Sequence, residues 1–288
     1  MLLTIFTPAY NRVNLLPRLY SSLVQQKTQN FEWIIVDDGS TDNTKEVIEG
    51  FIAENIIPII YIYKENGGKH LAINKGVEHT QGELFFIVDS DDYLTVDATT
   101  LISQYYLLIK NKNDLAGMSF RRGKSENKYI GSQKTFDDFE ASALDFRYKH
   151  KIVGDMAEVY KTDVIRQYPF PKIDEERFCS EGLVWNRMAL QYKILWTSKI
   201  IYVGEYLEGG LTDNSFRIRK NSPRHATLFY SELAQMPISF VQKIRATINY
   251  WRFAKFVNEP FIDKWKKVNP LLSLIGLPLS LIFILKDS

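Results

Sequence analysis

The chain has 288 residues, of which 36 are basic and 34 acidic, giving a formal charge of +2. This near-balance gives no general electrostatic argument for binding nucleic acid, so we expect no nucleic-acid partner. The single cysteine, Cys179, excludes an internal disulfide framework and a multi-thiolate metal site. The length is sufficient for one large α/β domain with a small appendage.

Strands and helices are predicted to alternate over the first 95 residues. Strands are expected at 2–7, 31–36 and 56–63, and a fourth ends at Asp89. The first helix between them is predicted to begin near Asn14, a candidate N-cap. The second carries Val47, Ile48, Phe51 and Ile52 on one face, and the third extends over 69–79. This alternation with short connections favours a parallel sheet with helices on both faces.

The fourth strand is an apolar run that ends in Asp89-Ser90-Asp91-Asp92. Asp89 and Asp91 are two residues apart, so in an extended segment their side chains point to the same side. Two carboxylates that face one way repel unless a cation or a donor-rich ligand lies between them. A hard divalent ion that also bridges substrate phosphates would satisfy them. The alternative is a solvated acidic loop that caps the next helix.

Polar residues also follow the other three strands, and all four strand ends meet at one edge of a parallel sheet. The first strand leads into Tyr10 and Arg12, the second into Asp37 and Asp38, and the third into Lys64 and the segment 66–69. A ring for stacking, a carboxylate acceptor, lysines and a metal site together suit a nucleotide diphosphate.

Beyond residue 95 the pattern changes. A helix is predicted at 97–110, strands at 115–120, 156–160 and 195–203, and a polar loop or hairpin at 121–132. Ser180 begins another predicted helix, and the chain beyond Pro223 is mostly helical, basic and aromatic.

Four motifs in this order resemble the family 2 glycosyltransferases with the GT-A fold, of the type that builds bacterial polysaccharides. They are Thr-Pro-Ala-Tyr-Asn-Arg, Val-Asp-Asp-Gly-Ser-Thr-Asp, Glu-Asn-Gly-Gly-Lys-His-Leu-Ala-Ile-Asn-Lys-Gly and Val-Asp-Ser-Asp-Asp. The resemblance covers about residues 1–215. It implies an α/β GT-A domain at 1–222, with a nucleotide-binding half at 1–95 and an acceptor half at 96–222, followed by a helical extension at 223–288.

The resemblance also implies site residues. The donor nucleotide would be bound by Pro8, Ala9, Tyr10, Arg12, Asp38, Lys69, Asp89 and Ser90. Asp89 would hold the ribose, and Asp91 would bind Mg²⁺ or Mn²⁺ with the diphosphate. Asp89 and His225 are candidates for further metal ligands.

Glu181 matches the acidic residue that relatives place just before a Trp-containing helix, where it acts as general base. Its competitors are Asp174, Glu175 and Glu176. The structural alternative for Glu181 is a carboxylate stabilised by the helix dipole. The segment 206–214 resembles a loop that follows the catalytic helix in these enzymes, and we expect it over the donor or the acceptor.

The C-terminal region interleaves basic and aromatic residues and ends in an apolar run at 271–285. This composition suits an anionic membrane surface, and the run is shorter than the about 20 residues that span a bilayer. The alternative is a helix docked on the domain or an oligomer contact. The first six residues lack a basic region, so we expect no signal peptide and a cytoplasmic protein, peripheral on the inner face of the cell membrane.

These features predict an inverting, metal-dependent glycosyltransferase. Its donor would be a nucleotide sugar, preferably a UDP-sugar, and its acceptor a glycan or polyprenyl-linked glycan of surface polysaccharide synthesis. One alternative is a sugar-nucleotide nucleotidyltransferase, which should have a Gly-rich phosphate loop after the first strand, where this chain has Pro8-Ala9-Tyr10-Asn11-Arg12. The other is a non-catalytic subunit that binds nucleotide sugars.

Overall fold

A computed structural model describes residues 1–204 and 214–286, the last three of these by their backbone only. Of the described residues, 1–169 and 188–204 form a first compact unit, and 170–187 and 214–286 form a second.

The first unit begins with alternating strands and helices, as predicted. In chain order these are β1 (Leu3–Ala9), α1 (Leu16–Val24), β2 (Phe31–Asp37), α2 (Thr44–Glu54), β3 (Ile59–Tyr63), α3 (Lys69–His79) and β4 (Leu84–Ile87). Several details differ from the prediction. Strand β1 extends through Pro8 to Ala9, and β3 begins at Ile59 rather than at residue 56. The N-cap of α1 is Leu15 rather than Asn14, with proline in the first turn, and Ile52 of α2 is exposed.

The rest of the first unit adds shorter elements and two long strands. They are β5 (Tyr93–Leu94), α4 (Ala98–Ile109), β6 (Leu115–Ser125), β7 (Lys128–Tyr129), β8 (Phe139–Ala141), a π-helical turn (Asp145–Lys149), β9 (Met156–Lys161), α5 (Thr162–Ile165) and β10 (Lys193–Val203). The segment predicted as a polar loop or hairpin is a hairpin, and β6 extends well into it.

The strands form one sheet in the order β3-β2-β1-β4-β9-β6-β10-β5, with β7 paired to β6 and β8 to β10. The four strands β3, β2, β1 and β4 are parallel. Strand β9 is antiparallel to both β4 and β6, so β6 and its parallel neighbour β10 run in the direction of β4 again. The carboxyl ends of six strands therefore lie at the same edge of the sheet.

The central strands are held in register by buried polar contacts as well as by apolar packing. Every residue of β2 is buried, and Glu32 within it accepts hydrogen bonds from Thr4 Oγ1 (2.5 Å) and from the backbone N–H of Gln81 (2.8 Å). A buried carboxylate is tolerated only with such partners. These contacts fix β2 against β1 and against the entrance to β4.

The second unit is helical. Its elements are α6 (Gly182–Met188), α7 (Ser215–Lys220), α8 (Pro223–Gln235), α9 (Phe240–Ala254), α10 (Phe261–Lys266) and α11 (Pro270–Lys286). Tyr250, Trp251, Ala254 and Val268 form a buried cluster within it. Over residues 1–204 and 214–286, no helix combines the length and the apolar character needed to cross a membrane. The expected α/β architecture with a helical C-terminal region is confirmed.

Candidate active site

The loops that follow the parallel strands begin at one level of the sheet. The register pairs Ala9 with Asp37 and Asp37 with Tyr63, so the predicted donor residues of the first two loops start side by side. Pro8 and Ala9 are the last residues of β1, and Tyr10 follows with 45% of its surface exposed. Tyr10 is thus not a core residue, and its ring is accessible for stacking. Arg12 is half-buried.

Asp38 orders the turn in front of α3. Its buried carboxylate accepts hydrogen bonds from the backbone N–H groups of Gly67 (2.9 Å) and Gly68 (2.7 Å) and pairs with Lys64. Both of its oxygens therefore have donors within the protein, and the contact with a base stays a prediction. Asp37 accepts from Ser40 N–H (2.7 Å), which is the turn role expected of it.

Asp89 lies between two cations. Lys69, at the start of α3, places Nζ 2.5 Å from Asp89 Oδ1, and Arg122 places Nη1 3.3 Å from Oδ2. Burial opposes ionisation of this carboxyl, but Lys69 and Arg122 outweigh burial and hold the pKa of Asp89 well below its ordinary value. Asp89 is therefore an ionised carboxylate that joins α3 to β6.

Arg122 and Tyr202 are the residues that sequence reasoning missed. They are directly paired in the β6–β10 register, and the guanidinium of Arg122 lies 4.0 Å from the centroid of the Tyr202 ring. The Tyr202 hydroxyl donates to Asp92 Oδ2 (2.6 Å) and accepts from the Asp89 backbone N–H (2.9 Å). Arg122 Nε also donates to the Met156 carbonyl (2.9 Å). The pair thus fixes the backbone of the acidic loop after β4.

Burial opposes the charge on Arg122, but Tyr202, Asp89 and Asp92 together raise the pKa of Arg122 well above its ordinary value. Arg122 Nη1 lies 3.7 Å from Asp92 Oδ2. Burial raises the pKa of Asp92 to about 7. The negative charges of Asp89 and Asp91 also raise this pKa, whereas the hydrogen bond from Tyr202 lowers it. The cluster therefore holds one carboxyl that is firmly ionised and another that titrates near neutrality.

Ser90 is buried, whereas Asp91 is only partly buried. Within 1–204 and 214–286 there is no group of three His, Cys, Asp or Glu residues arranged to hold a metal ion. A hard divalent cation is often bound by one or two carboxylates and completed by substrate phosphates, and the partly buried Asp91 fits a site of that kind. Asp89 is less suited to it because its two oxygens contact Lys69 and Arg122.

Glu181 is in the second unit, immediately before α6. Its carbonyl accepts from the N–H groups of Val184 (3.0 Å) and Trp185 (3.1 Å), so it begins the first helical turn as predicted. The helix is held to α8 by a two-pronged contact of Arg187 with Glu232 at 2.8 and 2.6 Å. Of the competing acids, Glu175 is exposed, as is Asp174, and Glu176 is buried.

Glu176 and His225 form a buried pair. His225 Nδ1 lies 2.9 Å from Glu176 Oε2, and its Nε2 lies 3.1 Å from the Pro171 carbonyl. Burial opposes ionisation of Glu176, but hydrogen bonds from His225 and from backbone N–H groups lower the pKa of Glu176. Both ring nitrogens of His225 thus face acceptors, and a metal would have to replace one of them. We therefore leave His225 out of the proposed metal set. Residues 206–213 of the predicted loop lie outside the described residues.

A family model and several curated relatives match this chain. The profile of the family described as "Glycosyl transferase family 2" matches residues 4–170. The chain is 26% identical over 226 residues to glycosyltransferase GlyA of Streptococcus pneumoniae, a match that covers 73% of this chain and 31% of that protein. It is 40% identical over 107 residues to chondroitin synthase of Pasteurella multocida, covering 37% of this chain and 11% of that protein. The chain thus spans less than a third of the length of either relative.

Solved structures are similar over nearly the whole chain. The S. aureus protein TarS, residues 1–349, in complex with UDP-GlcNAc gives a TM-score of 0.65 at 18% identity, covering 96% of this chain and 84% of that one. The mannosyltransferase PcManGT from Pyrobaculum calidifontis, in complex with GDP-Man and Mn²⁺, gives a TM-score of 0.59 at 15% identity. That match covers 98% of this chain and 80% of the other. At these identities the likeness concerns the fold.

Proposed function

The chain belongs to glycosyl transferase family 2 and has the GT-A fold, and from this premise we propose that it transfers a sugar from a nucleotide-diphosphate donor to a hydroxyl group of an acceptor. One observation carries the proposal. The carboxyl edge of the sheet brings together an accessible aromatic ring (Tyr10), a cation at the start of α3 (Lys69), a cation on β6 (Arg122) and a partly buried carboxylate (Asp91). Parallel α/β sheets bind nucleotides at this edge.

We propose a UDP-sugar as the donor. Tyr10 would stack on the base, and Asp38 would fix the turn that carries Lys69 towards the phosphates. The structural neighbour solved with UDP-GlcNAc supports this choice, and the neighbour solved with GDP-Man leaves another base as the alternative that a donor panel decides.

Asp91 would hold Mg²⁺ or Mn²⁺ together with the donor diphosphate. The metal would offset the charge that develops on the leaving diphosphate. A neighbour solved with Mn²⁺ supports a divalent ion. The contribution of the chain itself is to keep Asp89 ionised between Lys69 and Arg122, so that the loop holding Asp91 has one conformation.

We propose Glu181 as the general base. As the acceptor oxygen attacks the anomeric carbon, its proton passes to the Glu181 carboxylate, and the bond from the anomeric carbon to the phosphate oxygen breaks. This single displacement inverts the configuration and needs no covalent enzyme intermediate. The position of Glu181 at the first turn of α6 supports the assignment, because the hydrogen bonds to its carbonyl hold its backbone in place at the helix start. The acceptor would be a glycan or a polyprenyl-linked glycan in surface polysaccharide synthesis.

The proposal is tested with a panel of UDP- and GDP-sugars in Mn²⁺ or Mg²⁺. A donor that binds only the native state raises the melting temperature by mass action, and with a suitable acceptor it releases the nucleotide diphosphate. Lys69→Met should lose the thermal shift. Lys75→Met is the matched control, because Lys75 lies on the same helix and pairs with Glu78. If no nucleotide sugar shifts the melting temperature, or if both variants respond alike, the proposed donor site is wrong.

A further inference from the structure

Helix α11 is packed with its small residues inward. Ser273 and Ser280 are fully buried, and the Trp251 indole N–H of α9 donates to Ser273 Oγ (3.1 Å). A β-carbon added to Gly276 would lie 2.6 Å from Thr247 Cγ2. The packing of α11 on α9 therefore requires small side chains at Ser273 and Gly276, although Leu272 is also buried and Leu277 packs against the cluster around Trp251.

Most large apolar residues of α11 are nevertheless exposed, and five of them form one stripe. We call it the α11 stripe, and its members are Leu271, Leu274, Ile275, Leu279 and Ile282. Their spacing of three and four residues places them on a single face of the helix. Leu271 is 73% exposed, Leu274 63% and Ile282 53%. An apolar stripe of this kind on an otherwise folded protein marks an interaction surface.

The net charge of the segment that contains the stripe argues for one kind of partner. Residues 240–286 contain eight basic and two acidic residues, a formal charge of +6, whereas the chain as a whole carries only +2. The rest of the sequence is therefore negative. A second copy of the same surface would bring two strongly positive segments together, which is unfavourable. An anionic lipid surface would take up the apolar stripe and attract the net positive charge of residues 240–286.

We propose that the α11 stripe docks α11 flat on an anionic lipid bilayer, with the Ser273, Gly276 and Ser280 face kept against α9. The inward face stays packed on protein, so the helix lies along the membrane and inserts only the side chains of the stripe. This inference does not depend on the proposed transfer reaction, and vesicle binding can be measured without a donor or an acceptor.

The test is co-flotation of the full chain with vesicles of phosphatidylcholine alone and of phosphatidylcholine with phosphatidylglycerol. We expect binding at least about tenfold tighter on the anionic vesicles, and weaker binding as salt is raised. Leu274→Gln with Ile282→Gln should weaken binding by at least about tenfold, because two apolar side chains leave the bilayer. The matched control is Leu107→Gln with Leu108→Gln on α4, whose exposures of 64% and 56% are almost the same.

A second measurement covers the case in which the double variant is unstable. Ile275→Cys, labelled with an environment-sensitive dye, should shift its emission to the blue with anionic vesicles, and Leu107→Cys should not; the native Cys179 is buried. Equal binding by the stripe variant and the control would overturn the proposal. So would equal affinity for the neutral and anionic vesicles. Concentration-dependent dimerisation lost in the stripe variant, without vesicle binding, would overturn it too and assign the stripe to a second copy of the chain.

Discussion

Arg122→Gln removes the cation that links the acidic loop after β4 to β6 and β10. The substitution deletes the contacts with Asp89 Oδ2 (3.3 Å) and Asp92 Oδ2 (3.7 Å), and the packing on the Tyr202 ring. Removing one partner of a buried ion pair costs about 3–5 kcal/mol. Asp89 keeps Lys69 as a partner and Asp92 can take up a proton, so we expect about 3 kcal/mol, the lower end of that range.

A double-mutant cycle with Asp92→Asn isolates the electrostatic part. The asparagine side chain would keep an oxygen for the Tyr202 hydroxyl but carries no charge, so the loss of Arg122 should matter less beside it. We expect the double variant to be more stable than the sum of the single effects by about 1 kcal/mol, within the range found for contacting residues.

The measurement is urea unfolding of the metal-free chain at about pH 8, above the pKa of Asp92, compared with Lys124→Gln. Lys124 is an exposed residue of the same strand, and its substitution should change the unfolding free energy by less than about 0.5 kcal/mol. Strict additivity of Arg122→Gln and Asp92→Asn would refute the coupling. An Arg122→Gln variant as stable as Lys124→Gln would show that the cluster does not hold the loop.

Three further predictions concern the acidic groups. Asp91→Ala should remove the Mn²⁺-dependent part of donor binding while leaving the melting temperature in chelator unchanged, and metal-dependent binding at the wild-type level would contradict this. Glu181→Gln should keep donor affinity but slow transfer by at least about a hundredfold, since a general base contributes roughly 10²–10⁴-fold; a loss in Glu175→Gln instead would move the base to that residue. Burial raises the pKa of Asp92 in the folded state to about 7. The protonated side chain therefore stabilises the folded state fully below the pKa that Asp92 has in the unfolded state, and this stabilisation is lost as the pH rises through about 7. Between about pH 5 and about pH 8 the free energy of unfolding of the wild type should fall by about 2–3 kcal/mol relative to that of Asp92→Asn, as measured by urea unfolding. A difference between the two proteins that does not change with pH would contradict this.

The first half of the fold is readable from sequence because its signals are local. Each strand is an apolar run, each is followed by turn and cap residues, and the helix at Lys69–His79 has the predicted bounds. The errors also have local causes. Pro17 in the first turn of α1 moves the helix start past Asn14, and the exposure of Ile52 depends on which residues α2 meets, which its own periodicity does not specify.

The polar cluster is not readable in the same way, because it depends on strand order. Asp89 and Tyr202 are 113 residues apart in sequence and share a hydrogen bond. They meet because β9 enters the sheet antiparallel between β4 and β6, which returns β6 and β10 to the direction of β4. A motif search finds the acidic loop but not the strands that close around it, so sequence patterns place Arg122 in a polar loop and Tyr202 simply within a strand.

Helix α11 is only partly predictable from the sequence. Its composition predicts an apolar segment, but hydrophobicity alone does not predict that Ser273 and Ser280 are buried while Leu271 and Leu274 are exposed. The signal that decides it is in the sequence: Ser273, Gly276 and Ser280 recur at three- and four-residue spacing, which puts them on one helical face. Small residues on one face permit close approach of a neighbouring helix, and the contacts of Ser273 with Trp251 and of Gly276 with Thr247 show that approach to α9. With the small residues packed on α9, Leu271, Leu274 and Ile282 are left exposed, and the proposed lipid contact would cover them.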